Sequence, residues 1–128
     1  MGLLIIDDSV DARRLLQCLL RTAGNKDVLT AASMKEAFAH LAQSSRSDRP
    51  RIDLILLDID MPEIDGIEAC RRLKADHRLY DTPIIMVTAY KKDRLLAEAF
   101  TAGAIDYISK PFARVELLAR VRSALTLN

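Results

Sequence analysis

The sequence predicts an α/β domain in which five parallel strands alternate with five helices, a doubly wound (βα)5 sheet. Three observations carry this. Residues 3–6, 54–57, 84–87 and 104–108 are short apolar runs, broken only by Asp106, as expected of strands covered on both faces. Stretches with helical spacing of apolar residues fill the gaps between them. Polar side chains suited to chemistry stand at the carboxyl ends of four of the runs.

The first run, 3–6, leads to Ser9, a residue suited to capping a helix whose inward stripe is Leu15, Leu16, Leu19 and Leu20 and whose stop is Gly24. Residues 28–31 form a weaker second strand. Ser33 then opens a second helix with Ala37, Phe38 and Leu41, and Glu36 three residues on completes a capping box. The polar stretch 43–51 reads as an exposed loop before the strand at 54–57. Asp65-Gly66 begins a third helix with Ile67, Cys70 and Leu73, and reads as turn and cap chemistry. A strand at 84–87, a helix over about 91–102 stopped by Gly103, a strand at 104–108 and a helix over about 115–127 follow. Right-handed crossovers then place helices on both faces. All 128 residues are expected to form one domain, with the possibility left open that it was cut from a longer protein.

Nineteen basic residues against eighteen acidic ones leave a formal charge of +1, without the basic stripe that a nucleic-acid backbone requires. Direct nucleic-acid binding is not expected. No apolar stretch is long enough to span a bilayer, so no membrane role is expected either. Cys18 and Cys70 lack metal-ligand spacing and read as reduced, mostly buried thiols of a cytoplasmic protein. His40 and His77 read as solvated surface residues.

In a sheet of this kind ligands sit beyond the carboxyl ends of the strands. Asp7 and Asp8 follow the first strand, Asp58 the third and Thr88 the fourth, and the fifth leads to Lys110. Crowded carboxylates repel: at about 4 Å and an effective dielectric near 20, each pair costs roughly 4 kcal/mol before relaxation. A hard divalent cation relieves that repulsion, and Mg²⁺ favours oxygen ligands. Lys110 adds a positive charge and Thr88 a hydrogen-bond donor. The set suits a phosphoryl group moving onto a carboxylate.

Asp7-Asp8-Ser9, Leu56-Leu57-Asp58-Ile59-Asp60-Met61-Pro62, Asp65-Gly66, Val87-Thr88-Ala89 and Ala104-Ile105-Asp106-Tyr107-Ile108-Ser109-Lys110-Pro111-Phe112 together resemble the receiver domain of two-component response regulators, of the chemotaxis-regulator kind. The resemblance runs from Leu3 to about Leu125. It supplies the flavodoxin-like strand order 2-1-3-4-5, which periodicity does not give. It implies that Asp58 is the phosphoacceptor, charged by a histidine kinase or phosphotransfer protein. It further implies that Asp8, Asp58 and the Asp60 carbonyl hold Mg²⁺ (or Mn²⁺), with Asp7 acting through water. Lys110, Thr88 and Ala89 would bind the phosphoryl group, and Thr88 and Tyr107 would form a switch. Asp60 and Tyr90 would modulate phosphoryl lifetime, and the bond before Pro111 would be cis. The face of the fourth helix, fifth strand and fifth helix would engage an output domain, a partner or a second copy, with Asp106 and Arg120 as candidates there. Such a domain is not an enzyme in the ordinary sense, since it promotes transfer only to and from its own aspartate.

Two other families of function compete for these residues. A haloacid-dehalogenase-like phosphohydrolase also carries an apolar strand followed by Asp-x-Asp, as in Asp58-Ile59-Asp60. That family places its acidic metal pair after its lysine, whereas Asp7-Asp8 precede Asp58 here. A phosphorylation-independent pseudo-receiver typically lacks an acidic residue, the acceptor or the lysine, and this chain has all of them. Simpler roles also exist for single residues: Asp7-Asp8 or Thr88 as helix caps, Tyr107 as core, Lys110-Pro111 as a loop stop.

Overall fold

A computed structural model describes residues 2–44, 51–61, 64–89 and 93–126. Among them the order is β1 (Gly2–Ile6), α1 (Val10–Thr22), β2 (Asp27–Ala31), α2 (Met34–Ser44), β3 (Ile52–Asp58), α3 (Gly66–Ala75), a 3₁₀ turn (His77–Leu79), β4 (Ile84–Thr88), α4 (Asp93–Thr101), β5 (Asp106–Ser109) and α5 (Arg114–Thr126). All strand pairs are parallel, in the order β2-β1-β3-β4-β5.

The unbroken apolar runs are explained by two cores, one on each side of the sheet. Leu4, Ile6, Ile55, Leu57, Ile84 and Met86 face α2, α3 and α4, while Leu3, Ile5, Leu54, Leu56, Ile85 and Val87 face α1 and α5. Every residue of β1 and β4 is buried. Each large aliphatic side chain so buried contributes about 1.5–3 kcal/mol, so their aliphatic positions do not tolerate a polar residue cheaply; Thr88, at the end of β4, is the one polar side chain on these two strands.

The chain leaves β1 toward β2 on one side and returns through α2 to β3 on the other. The strand order therefore reverses between β1 and β3, which opens a crevice at their carboxyl ends. Asp7 and Asp58 border that crevice.

Local chemistry sets the helix starts. Ser9 Oγ accepts from the Ala12 N–H (3.2 Å), so Ser9 rather than the acidic pair caps α1. Ser33 Oγ accepts from the Glu36 N–H (3.2 Å), and the Glu36 carboxylate reaches back to the Ala32 N–H (2.7 Å), one residue earlier than a capping box would require. Asp65 Oδ1 caps α3 through the Glu68 N–H (2.9 Å).

Several expectations need correction. Leu15 is 48% exposed; Leu16 and Leu20 are buried and Leu19 packs partly buried beside them, so Leu15, at the edge of the stripe, is the one position that falls off the inward face of α1. Cys18 is exposed; only Cys70 is buried, and burial pushes its thiol up to about 11. His40 is half-buried, with its ring Nε2 3.0 Å from the Thr30 carbonyl. The last strand starts at Asp106 rather than residue 104, since Ala104 and Ile105 form the approach to the ladder. The 3₁₀ turn was not anticipated, because three residues carry no readable period. It is held by Asp76, which accepts from the Arg78 N–H (2.9 Å), and by the Lys74 ammonium, which donates to the carbonyls of Leu79, Tyr80 and Thr82 at 2.9–3.0 Å.

Candidate functional site

The end of β1 is tied down from several directions. The Asp7 N–H donates to the Ala31 carbonyl (3.1 Å), and its own carbonyl accepts from Arg13 Nη1 (2.7 Å). Asp7 Oδ1 accepts from the Ser9 N–H (2.9 Å). Its other oxygen, Oδ2, is shut off from solvent and faces the Lys110 ammonium at 3.1 Å. Asp8, next along, is exposed.

Asp58 ends the central strand and is only 2% exposed. The chain beyond it is fixed by the Ile59 N–H on the Val87 carbonyl (3.0 Å), and Asp58 Oδ1 accepts from the Asp60 N–H (3.2 Å). Lys110 Nζ lies 3.6 Å from that same Oδ1. Lys110 is positioned by its own N–H, which donates to the Thr88 carbonyl (2.8 Å), and the Lys110–Pro111 bond is cis. Thr88 is fully buried at the end of β4, and Ala89 beyond it is exposed.

The electrostatics follow from this packing. Burial pushes the Asp58 carboxyl up to about 7, and the nearby Asp7 charge adds to it; Lys110 and the Asp60 N–H act against them without cancelling them. Burial also works against the Lys110 ammonium, but the Asp7 and Asp58 carboxylates outweigh it and hold its pKa above the ordinary lysine value.

Carboxylate oxygens of Asp7, Asp8 and Asp58 lie within 4.8 Å of one another. Three hard oxygen donors, one of them solvent-shielded and one on an exposed residue open to solvent, suit a divalent cation that retains waters. The residues present therefore fit a metal of the magnesium kind.

Tyr107 is half-buried, and its ring packs against side chains of α4 and α5. It meets Phe100 edge-on, with centroids 6.4 Å apart, and the Arg120 guanidinium lies 5.6 Å from its centroid. Arg120 is itself held by Asp106 (2.7 Å) and Glu116 (3.1 Å). Asp60 is exposed. Tyr90 lies outside the described residues.

Residues 3–122 match the family model described as the response regulator receiver domain. The chain belongs to that family. It is 40% identical over 123 residues to the phosphate regulon transcriptional regulatory protein PhoB of Pseudomonas aeruginosa, covering 96% of this chain and 51% of PhoB. It is 35% identical to the DNA-binding master transcriptional regulator RpaA of Synechocystis, covering 96% of this chain and 48% of RpaA. Among solved structures it resembles the chemotaxis protein CheY4 of Vibrio cholerae, with a TM-score of 0.87 at 30% identity over 97% of this chain and 98% of that one. The chain spans about half the length of the curated relatives it matches. As a receiver domain it is a component of two-component phosphorelay signalling, and the phosphohydrolase and pseudo-receiver readings are not favoured.

Two contributors to the site escaped the sequence reading. One is Arg13, whose only signal is its place one turn into α1. The other is Gly66, assigned above to turn and cap chemistry. A Cβ on Gly66 would lie 2.4 Å from both the Asp58 carbonyl oxygen and the Ile59 Cα, and its N–H donates to the Ile59 carbonyl (2.8 Å). Helix α3 thus enters directly against the backbone of Asp58, and only glycine permits that approach.

Proposed function

We propose that Asp58 accepts a phosphoryl group from the phosphohistidine of a histidine kinase or phosphotransfer protein. The observation that carries the reading is the meeting of Asp7, Asp8 and Asp58 with Lys110 at the ends of β1, β3 and β5. An Asp58 oxygen attacks phosphorus, the P–O bond forms as the P–N bond breaks, and the electron pair returns to the donor imidazole. Asp8, Asp58 and the Asp60 carbonyl would hold Mg²⁺ or Mn²⁺, with Asp7 acting through water. The ion, when bound, neutralises charge on the transferring phosphoryl oxygens. Lys110 pairs with those oxygens, and Thr88 and the Ala89 N–H donate to them. Only the acceptor's own aspartate is turned over.

Thr88 and Tyr107 form the switch. A phosphoryl group brings roughly −1.5 to −2 charges within reach of Thr88, a contact that the unphosphorylated form lacks. The Thr88 hydroxyl turns toward it, Tyr107 turns inward, and the face of α4, β5 and α5 changes shape for an output domain, a partner or a second copy. Asp60 and Tyr90 set how long the phosphoryl group survives. The domain works in the cytoplasm, as membership of the receiver family implies; among the described residues no helix is long and apolar enough to cross a membrane. The chain is one receiver domain, and nucleic-acid binding, where a longer protein has it, belongs to a separate output domain.

Intact-mass measurement after incubation with acetyl phosphate and Mg²⁺ tests the reading. One phosphoryl adduct is expected, absent in Asp58→Asn and absent in excess chelator. An adduct of wild-type size in Asp58→Asn would overturn it.

A further inference from the structure

The end of β5 holds a buried hydroxyl for which the proposed phosphorylation chemistry has no use. Ser109 Oγ is shut off from solvent and has no hydrogen-bond partner among the described residues. Such a group is costly, and folded proteins rarely retain one. Strand pairing does not require it, since alanine or valine would serve the β5 ladder equally well.

Its neighbours suggest a use. Ser109 is the register partner of Thr88 on β4, so the two side chains share a face of the sheet. The alternation along β5 puts Tyr107 on that face too: Ile108 packs into the core under α1 and α5, and Tyr107 against the opposite core. Two residues along a strand span about 6.6 Å, which a tyrosine side chain can bridge. In this structure the ring is turned elsewhere, against Phe100 and under Arg120.

We infer that Ser109 is a positioning residue of the switch, its Oγ hydrogen-bonding the Tyr107 phenol when that ring turns inward over the end of β5. The inference rests on the reading of Thr88 and Tyr107 given above. When the Thr88 hydroxyl turns toward the phosphoryl group, room opens beside Ser109 for the phenol. Ser109 then gains the partner that it lacks here. The hydroxyl disfavours the unphosphorylated arrangement and favours the other, while touching neither metal nor phosphoryl group. It shifts a two-state equilibrium by its different contacts in the two states.

A double-mutant cycle on the full chain tests this, with beryllofluoride and Mg²⁺ as the phosphoryl mimic. Ser109→Ala is expected to weaken apparent beryllofluoride affinity about two- to tenfold, the worth of one hydrogen bond. Its Mg²⁺ affinity without beryllofluoride should not change, and its melting temperature without ligands should equal or exceed the wild type's. Tyr107→Phe should show a similar loss, and the double variant should be no worse than either single one. Ser109→Thr, which keeps the hydroxyl, should restore most of the affinity. A merely structural Ser109 would move the melting temperature without producing this non-additivity. Unchanged affinity in Ser109→Ala, or additive losses, would overturn the inference. Amide exchange over residues 104–112 of the wild type separates the two levels. If beryllofluoride binds without changing it, the switch reading falls and this inference with it; if exchange changes but the cycle is additive, only the role of Ser109 falls.

Discussion

The Lys110 ammonium sits closer to Asp7 than to Asp58, 3.1 Å against 3.6 Å. It bridges two carboxylates at the ends of neighbouring strands and relieves part of their repulsion. A metal ion bound by the carboxylates would take over that task and leave Lys110 to the phosphoryl oxygens. Lys110→Met is therefore expected to slow phosphorylation by acetyl phosphate at least tenfold while changing Mg²⁺ affinity less than about threefold, since the lysine is not a ligand. Mass-resolved time courses and calorimetry check the two halves.

Asp58 gives a pH dependence with a definite sign. Its folded-state carboxyl titrates at about 7 against an ordinary 3.8, so the folded metal-free protein binds a proton that the unfolded chain does not. Its ionisation is thus a penalty, absent below the ordinary value, growing between about 4 and 7 and full above 7. In chelator, Asp58→Asn should raise the melting temperature at pH 8, and the gain should shrink as pH falls through 7 toward 4. In the wild type, Mg²⁺ should bind more weakly as pH drops below 7, because proton and metal compete for one carboxylate. Thermal melts and metal titrations across this range decide it.

Gly66→Ala is expected to damage stability and phosphorylation together. The added methyl would meet the Asp58 carbonyl oxygen and the Ile59 Cα at 2.4 Å, and both are backbone atoms that cannot swing aside. Either α3 retreats or the end of β3 moves, at a cost of about 1–3 kcal/mol. The melting temperature and the initial rate with acetyl phosphate should both fall, whereas Gly24→Ala, with nothing within 4 Å of its Cβ, should lower only the first.

What the sequence made legible follows from period and position. Strands buried on both faces show as unbroken apolar runs, and each run's end could be read off as Asp7-Asp8, Asp58, Thr88 and Lys110 without knowing which strands were neighbours. Adjacency was the missing quantity. The order placing β1 beside β3 came from family resemblance, because a parallel sheet leaves no short-range mark of pairing. Close approaches were hidden for a related reason: Gly66 looks like a turn glycine until the Asp58 backbone is seen against it. The exposure of Leu15 and Cys18 was misread because an apolar or sulfur side chain on a helix declares a preference, not a direction. Where neighbours are set by tertiary packing, as at Ser109 or Lys74, the sequence is silent.

Lys74 supplies a test of stability apart from chemistry. Its ammonium gathers three carbonyls, those of Leu79, Tyr80 and Thr82, and so shapes the approach to β4. Lys74→Met keeps the stem and leaves the carbonyls without their donor. A loss of roughly 1.5–3 kcal/mol is expected, as for hydrogen bonds to a charged group. That should appear as a melting point lower by about 5–15 °C. Below the melting transition the phosphorylation rate should match the wild type, since Lys74 touches no residue of the acidic cluster.

Arg120 offers the most direct handle on the proposed switch. Its guanidinium is held by Asp106 at 2.7 Å and Glu116 at 3.1 Å, and from there it covers the Tyr107 ring 5.6 Å from the centroid. The contact belongs to the outward ring, which also meets Phe100 edge-on. Removing it raises the free energy of the unphosphorylated arrangement alone. A cation–π contact at a partly exposed site is worth about 0.5–1 kcal/mol, so Arg120→Gln should tighten apparent beryllofluoride binding about two- to fivefold. The titration belongs at protein concentrations where the wild type is monomeric, so that any coupling to self-association drops out. Asp106→Asn should act in the same direction but more weakly, because Glu116 still holds the guanidinium. Weaker beryllofluoride binding in Arg120→Gln would mean that the arginine serves the phosphorylated face instead, and the hold on Tyr107 would then be incidental packing.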